Sequence, residues 1–486
     1  MVSAKVDKEE VTIQSYDTKS LKQLSSKLYA DFPKGAEYID FIKIKEKAFY
    51  IYSVVNKKEK TYSVYSREVN TANSQLQKAV NLLTSQGEVV NSKGEWAHMY
   101  SLGEGGKGMT NGSKFIIITS FDKSKVAIAY RRKPTTRSDK NSYDKIGVHV
   151  FDETLKKQWG NEMTLPHTEA EMNNLAYTVC TDGSAKMLSH LKEDKAFELI
   201  TFTTDGKVTA SKIDVNGELF FQQFKIKEDE TGNLICAGFY ANGMDFKMDW
   251  RGNPTLSFNT NGVMSFEVSP EGKVNNVQDY VFSADFIKQN LTEKQRKKVE
   301  DREAKGKAGI GDLRMVEFEV LADGSTVFVG ERQYSKIEGE YFFGNAVIIK
   351  VDKDGKLLWM RKMAKHQFGA TQPHHPNFLG QLSVKYVYSN GAHYVLYIDN
   401  PKNATIGLSK PAEKHTNGAG GFLTAYRIDD ITGKVEKHTV ADLKDVAGIK
   451  TYQFNTTRLC KASDENFILE VYIKGKQDVL INFNFK

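Results

Sequence analysis

Six consecutive residues, Gly103–Gly108, form the sequence GEGGKG, which matches the glycine-rich pattern G-x-G-x-x-G. In dinucleotide-binding proteins this turn follows a strand and opens a helix, whose N-terminal amides bind the pyrophosphate. Here the glycines precede MTNGSKFIIITS, which reads as a loop followed by a strand. The protein-kinase version also needs a lysine on the next strand, where this chain has Ala129. We therefore expect a flexible connecting loop and no nucleotide site.

Three histidines lie close together in the chain: His366, and the adjacent pair His374 and His375 between two prolines. Adjacent residues of an extended chain point to opposite sides, so neighbouring histidines rarely bind one metal ion. No glutamate or cysteine stands at helical spacing to complete a ligand set. We expect a polar, irregular loop and include His374 and His375 among the candidate partner contacts.

Recurring Asp-Gly turns and three cysteines are the remaining candidates for chemistry. Turns such as VDKDGK (351–356) lack the series of oxygen ligands that calcium requires, whereas a tight hairpin turn by itself favours Asp and Gly. Cys180, Cys236 and Cys460 have no zinc-type spacing. The sequence therefore predicts no cofactor and no metal, and it favours a protein that is not an enzyme. A carboxylate pair for glycoside hydrolysis would be visible only in three dimensions.

The elements that position these residues are short strands joined in pairs. One unit recurs at 200–213, 265–282, 347–363 and 423–440: an apolar strand, an Asp/Asn-Gly-Lys type of turn, and a second strand. Repetition of one supersecondary unit is typical of a β-propeller. We predict an all-β propeller, most plausibly with seven blades, with six or eight as alternatives.

The two ends of the chain suggest how such a propeller closes. The last blade, 451–485, is one strand short, and EEVTIQSY (9–16) is a free strand. Pairing between the two would remove exposed sheet edges. We therefore divide the chain into an N-terminal closing strand with a short helix, 1–40, and the propeller, 41–486.

One segment, 283–312, has no β character and predicts a charged helical insertion. Thr292 and Gln295 fit a capping box, and Gly306 fits a helix stop. The simplest interpretation is a solvated helix. The functional interpretation is a docking element, with Lys297, Lys298 and Arg302 as candidate partner contacts.

Propellers bind through the loops between their strands, and six long loops are candidates: 92–112, 133–145, 242–262, 283–312, 365–381 and 402–420. The loop 402–420 offers Lys414 and His415. Met244, Phe246 and Trp250 would form an apolar contact patch if exposed. If 244–250 is instead a short strand, half of these side chains belong to the core, and we prefer that interpretation.

Composition excludes several classes of protein. The chain has 68 Lys+Arg and 61 Asp+Glu, a net charge of +7 spread over 486 residues, which argues against nucleic-acid binding. No run reaches the ~18 apolar residues of a membrane-spanning helix. The charged start MVSAKVDKEE shows no signal peptide. It fits a cytosolic start as well as a mature exported domain.

Two resemblances follow from the repeats. VDKDGKLLW (351–359) resembles the repeat of PQQ-type propellers, with Trp359 and Trp159 in the characteristic position, but the adjacent cysteine pair of the quinoprotein enzymes is missing. The run GNAVIIKVDKDGKLLWMRKMAKHQ, with YVLYIDNPKN (394–403) and SFDKSKVAIAY, is similar to large propeller-like proteins of Bacteroidota cell envelopes. The second resemblance covers roughly 40–486 and implies export and a non-catalytic binding or scaffold role.

The sequence thus favours a non-catalytic interaction or scaffold propeller of a bacterial cell envelope. Its expected location is the periplasm, the outer membrane or the cell surface, with the cytoplasm as an alternative. The expected partner is another envelope protein. The alternative function is a propeller that binds or cleaves polysaccharide, which would make a glycan the ligand.

Overall fold

The computed structural model describes most of the chain. The described residues are 1–7, 9–90, 114–134, 136, 138–194, 196–213, 220–248, 254–335, 340–370, 382–416, 420–446, 448, 451–453, 458–463, 466–473 and 477–484. The glycine-rich run 103–108 lies outside them.

The described chain forms eight mainly antiparallel sheets, which follow one another along the sequence. Sheet 1 contains β1 (Val2–Asp7), β2 (Glu10–Tyr16) and β3 (Gln23–Tyr29). Sheet 2 contains β4 (Glu37–Ile44), β5 (Lys47–Asn56), β6 (Thr61–Asn70), β7 (Gln75–Leu76) and β8 (Val80–Thr84). Sheet 3 contains β9 (Val89–Val90), β10 (Phe115–Thr119), β11 (Lys125–Arg132), β12 (Tyr143–Asp152) and β13 (Lys157–Thr168). Sheet 4 contains β14 (Met172–Val179), β15 (Ala185–Leu191), β16 (Ala196–Phe202) and β17 (Val208–Ile213).

The second half of the chain repeats the arrangement. Sheet 5 contains β18 (Phe220–Glu228), β19 (Leu234–Met248), β20 (Pro254–Val268), β21 (Val274–Val281) and β22 (Ile310–Gly311). Sheet 6 contains β23 (Leu313–Val320), β24 (Thr326–Ser335), β25 (Glu340–Val351), β26 (Leu357–Met363), β27 (Gln367–Ala370) and β30 (His415–Thr416). Sheet 7 contains β28 (Lys385–Ser389), β29 (Ala392–Asp399), β31 (Phe422–Asp429) and β32 (Val435–Asp442). Sheet 8 contains β33 (Thr451–Gln453), β34 (Leu459–Lys461), β35 (Asn466–Ile473) and β36 (Gln477–Asn484).

Helix is confined to short pieces of the described chain: α1 (Ala284–Lys288), α2 (Glu293–Glu303) and a 3₁₀ helix (Pro401–Thr405). The predicted capping box is confirmed at the start of α2. The side chain of Thr292 accepts a hydrogen bond from the backbone amide of Gln295, and the side chain of Gln295 accepts one from the backbone amide of Thr292. The segment 283–312 is therefore helical in part, and the remainder is turn and the short strand β22. No helix in these parts of the chain is long and apolar enough to cross a membrane.

The eight sheets are the blades of a β-propeller, and the prediction of seven blades is wrong. Seven of the sheets coincide with the seven predicted blades, and the eighth is sheet 1 at the N-terminus. The segment 9–16 does not pair with the C-terminal strands, because β1 and β3 occupy both of its edges. Where a short helix was expected within 1–40, the structure has strand β3.

The chain divides into two compact units, and sheet 5 contributes residues to both. Unit 1 comprises Met1–Glu218, Phe224–Ala237 and Ser265–Val277. Unit 2 comprises Leu219–Gln223, Gly238–Met264 and Gln278–Lys486. Within each unit, inward-facing residues of neighbouring sheets form apolar cores, such as Val126, Ile128 and Phe151 in unit 1 and Ile348, Trp359 and Val395 in unit 2.

The recurring turn has one backbone geometry in several sheets. In the turn 203–207 the amide of Thr203 donates to the carbonyl of Lys207 (3.0 Å), and the amide of Gly206 donates back to Thr203 (3.1 Å). Gly206 has a φ of +82°, which glycine adopts without strain. The turn 352–356 repeats both hydrogen bonds. The interpretation of the Asp-Gly units as hairpin turns is confirmed.

Polar side chains connect sheet 3 to a turn of sheet 4 and sheet 6 to a turn of sheet 7. The indole nitrogen of Trp159 in sheet 3 donates to the carbonyl of Gly183 in sheet 4 (2.9 Å). The indole nitrogen of Trp359 in sheet 6 donates to the carbonyl of Asp430 in sheet 7 (2.9 Å). A Cβ atom at Gly433 would lie 2.6 Å from Cγ of Trp359, so this turn needs glycine. The two tryptophans thus pack sheet against sheet.

Candidate functional site

Long connections leave sheets 3, 5, 6 and 7 from one end only, where the strands of sheet 3 are counted from β10. In each of these antiparallel sheets the tight turns join the first strand to the second and the third to the fourth, so they lie together at one end. The long connections follow the second or the fourth strand and lie at the opposite end. In unit 2 these are 282–312, 364–384 and 400–421.

A buried ion pair lies at the long-connection end of sheet 6. Glu331 of β24 accepts from the ammonium group of Lys365, the second residue after β26, and both side chains are at most 1% exposed. Ser383 also donates to Glu331, and Gln333 does so at 2.7 Å. Since isolated buried charges are costly, each partner depends on the other. The pair ties the connection 364–384 to the sheet.

A second buried pair lies at the same end of sheet 7. Asp399, the last residue of β29, accepts from the ammonium group of Lys437 at 2.9 Å. The same carboxylate accepts from the hydroxyl of Tyr397 (3.1 Å) and from the amide side chain of Asn403 (2.5 Å). Asn403 is fully buried and exchanges hydrogen bonds with both backbone groups of Glu413 (2.9 and 2.8 Å). The network therefore holds the connection 400–421 closed.

His415 lies where the two connections meet. Its strand, β30, pairs in parallel with β27 at Gln367, which attaches the connection of sheet 7 to sheet 6. The side chain is 6% exposed and packs so close to Gly421 that a Cβ atom there would lie 2.7 Å from Cε1. Burial lowers the pKa of His415, and Asp399 opposes this shift. Among the described residues, no group forms a hydrogen bond with its Nε2 atom.

Unit 1 contains a counterpart in which the charges are exchanged. Arg131 of β11 binds Asp144 (2.5 Å) and Glu169 (2.7 Å), and Glu169 directly follows β13. In sheet 6 the acid, Glu331, is on the second strand, and the base, Lys365, follows the fourth strand. In sheet 3 the base is on the second strand and the acid, Glu169, follows the fourth. Ser142 and Asn174 complete the hydrogen bonds of the two carboxylates. A buried ion pair at this end is thus a repeated feature of the blades.

Helix α2 stands at the long-connection end of sheet 5. It has no buried residue. The guanidinium of Arg302 donates to Asn259 of β20 (2.8 Å), and Glu303 binds Lys288 of α1 (2.9 Å). The ammonium group of Lys362 donates to the carbonyl of Ile287 (2.7 Å) and fixes α1 on sheet 6. The helix is therefore held in place by its C-terminal turn, and its side chains are otherwise outside the core.

The predicted contact residues occupy different environments. Lys297 and Lys298 are exposed on α2, and Lys414 is exposed beside the ring of Phe368 (5.1 Å). Arg302 is half-buried in its bond to Asn259, and His415 is buried and does not offer an open surface.

The other candidates lie in strand β19 or outside the described residues. Met244 and Phe246 lie in strand β19, which ends at Met248. Trp250, His374 and His375 lie outside the described residues.

Sequence reasoning missed the residues that organise this end: Glu331, Lys365, Asp399 and Asn403. Two of them carry a signal that could have been used. Glu331 continues the apolar run TVFVG, and Asp399 ends the apolar run YVLYI. A charge that directly extends a buried strand needs a buried partner. The identity of that partner depends on the topology of the sheets.

Comparisons with known proteins identify no family for this chain. No protein-family model and no curated protein sequence matches the chain. The β-propeller domain of the Trilobed protease from Pyrococcus furiosus is similar over 93% of this chain and 96% of its own, with 10% identity and a TM-score of 0.36.

Two further structures show the same level of similarity. Prolyl oligopeptidase B from Galerina marginata is similar over 96% of this chain and 54% of its own, with 9% identity and a TM-score of 0.37. A protein of unknown function from Bacteroides caccae is similar over 74% of this chain and 92% of its own, with 8% identity and a TM-score of 0.27. At these scores the assignment of the fold rests on the eight sheets themselves.

Proposed function

We propose that the protein is a non-catalytic interaction propeller of a bacterial cell envelope, which binds another envelope protein through the long-connection end of unit 2. The observation that carries the proposal is helix α2, a fixed element that contributes no side chain to the core. The proposed location follows the resemblance to Bacteroidota envelope proteins.

An isolated helix of this length is marginal in water. This one has 11 residues and is stabilised by its capping box and by the bonds of Arg302 and Glu303. Such an element costs little to order when a partner binds, because it is already formed. Exposed Lys297 and Lys298 give it charges that an acidic partner surface would complement.

The buried charges at this end support binding rather than bond cleavage. Glu331 and Asp399 are each engaged by a lysine and by further hydrogen bonds. They hold the connections in shape, as a rigid binding surface requires.

A charge-reversal experiment tests the proposal. The double variant Lys297→Glu, Lys298→Glu should weaken capture of the partner from solubilised envelope by at least about tenfold, because like charges would then face each other. The matched control is Lys353→Glu, Lys356→Glu, which reverses two exposed lysines at the tight-turn end of sheet 6. The measurement is quantitative pull-down followed by titration of the identified partner.

Loss of capture with the first variant and retention with the second would support the proposal. An equal loss of capture in the two variants would show that binding does not depend on which end of the sheet carries the reversed charges. Binding or hydrolysis of purified polysaccharide in the absence of any protein partner would instead favour the polysaccharide alternative.

A further inference from the structure

Sheet 1 in unit 1 has three strands, whereas the other seven sheets have between four and six. Its last strand, β3, pairs with β2. Within the described chain no strand pairs with the other edge of β3. An open edge presents unpaired amide and carbonyl groups and favours association with another strand.

The register shows which groups face the open edge. Tyr16 of β2 exchanges two backbone hydrogen bonds with Met1 on the β1 side (2.8 and 2.9 Å). Backbone groups alternate in direction along an antiparallel strand, so Ser15 and Ile13 face β3. Their partners are Ser25 and Lys27. Ser26 lies between these two partners, and Leu28 lies beyond them. The amides and carbonyls of Ser26 and Leu28 therefore point to the open edge.

The inner side of β3 is fixed to sheet 2. The hydroxyl groups of Ser25 and Ser74 lie 2.5 Å apart. The hydroxyl of Tyr29 donates to the carbonyl of Ser74 (3.0 Å) and accepts from the amide of Leu76 (2.8 Å). The open edge is thus held in one position before any partner arrives.

The outer side of β3 carries two exposed leucines. Leu24 is 59% exposed and Leu28 is 61% exposed, so both side chains are available to a strand that pairs with this edge. Leu24 and Leu28 are equally far from Ser26 along the strand, one on each side of it. The register of β2 and β3 shifts between Ser15 and Tyr16, which leaves Leu24 between the partners of these two residues, Ser25 and Gln23.

We propose that β3 is the dimerisation edge of this protein and pairs antiparallel with β3 of a second copy. A two-fold axis at Ser26 makes the edge self-complementary, as a symmetric dimer requires. Leu24 of one copy then lies opposite Leu28 of the other, twice. Lys27 lies opposite Ser25, so no like charges meet. This self-complementarity favours a second copy over an unrelated strand.

The test is the mass of the intact protein in solution, measured by sedimentation equilibrium over a range of concentrations. The wild type should be a dimer. Leu24→Lys with Leu28→Lys places lysine opposite lysine twice and removes four leucines from the contact. Its dissociation constant should rise at least about a hundredfold. Leu24→Lys with Leu28→Glu places opposite charges across the same contact and should restore dimerisation.

The rescue distinguishes this register from any other. A monomeric wild type, an unaffected Lys/Lys variant or a Lys/Glu variant that stays monomeric would each overturn the proposal. The far-UV circular dichroism of the two double variants should match that of the wild type, because the replaced side chains are exposed in the single chain. If it does not, Ser26→Pro removes the edge amide without removing a bond to β2, and it should also abolish the dimer.

Discussion

At the scale of single residues, the most consequential groups are titratable side chains buried between sheets 6 and 7. His393 is fully buried, with Nδ1 2.8 Å from the hydroxyl of Tyr386 and Nε2 2.7 Å from Asp430. Burial lowers the pKa of His393 to about 4, although Asp430 opposes the shift. Lys350 binds the same carboxylate and disfavours a second positive charge. The folded protein therefore keeps this imidazole neutral.

The first prediction concerns acid stability. Because the pKa of His393 is lower in the folded than in the unfolded chain, the unfolded state binds more protons between about pH 6.5 and pH 4. Stability should be complete above that window and fall through it, with His393 contributing on the order of 3 kcal/mol. In His393→Gln the free energy of unfolding should fall less steeply with pH. His438→Gln, at an exposed site, should leave the slope unchanged.

The second prediction concerns Lys362, which is 9% exposed and fixes α1. Burial first, and Arg332 second, lower its pKa to about 7. The unfolded chain then binds more protons between pH 7 and about pH 10.5, so stability should rise with pH across this window. Lys362→Met should flatten the rise by on the order of a few kcal/mol. Urea unfolding at several pH values measures this, with the exposed Lys356→Met as control.

At the residue scale the sequence predicts exposure better than burial. Lys297, Lys298 and Lys414 are exposed as expected, whereas His415 is buried. The sequence of a polar loop does not indicate that a histidine within it will be buried between two sheets. Glu331 and Lys365 are far apart in the sequence, and only the order of strands brings them together.

At the scale of elements, the connection 400–421 depends on one side chain. Asn403 joins the start of the connection to Glu413 and to the Asp399–Lys437 pair. Asn403→Ala should open it, because removing one partner leaves buried groups unsatisfied at about 1–3 kcal/mol each. Trypsin should then cleave at Lys402, Lys410 or Lys414 at least about tenfold faster. Unchanged cleavage, equal to that of the exposed-site variant Asn81→Ala, would refute this role.

Most elements were predictable where two signals coincide. Sheets 2 to 8 combine alternating apolar residues with turn residues, and the sequence predicts all of them. Sheet 1 was missed because β3 alternates poorly: Leu24, Lys27 and Leu28 are all exposed. A strand that buries so little gives no periodic pattern, and its identity follows from pairing with β2.

At the scale of the whole molecule, each of the two proposals concerns a different unit. Unit 2 contains α2 and both closed connections, and it is proposed to bind a partner. Unit 1 contains sheet 1, and it is proposed to dimerise. The sequence predicted the propeller class, because repetition of one strand pair determines it, but the number of blades depended on the weakly patterned N-terminus.

The order of strands within the sheets has a further consequence, for folding. Nearly every strand pairs with its neighbour in the sequence, as in the run β14 to β17. Contact order is therefore low for an all-β protein, and little loop-closure entropy opposes each pairing. During synthesis, which proceeds from the N-terminus, each sheet can be completed before the next has been made. The nascent chain then exposes few unpaired strands at any moment.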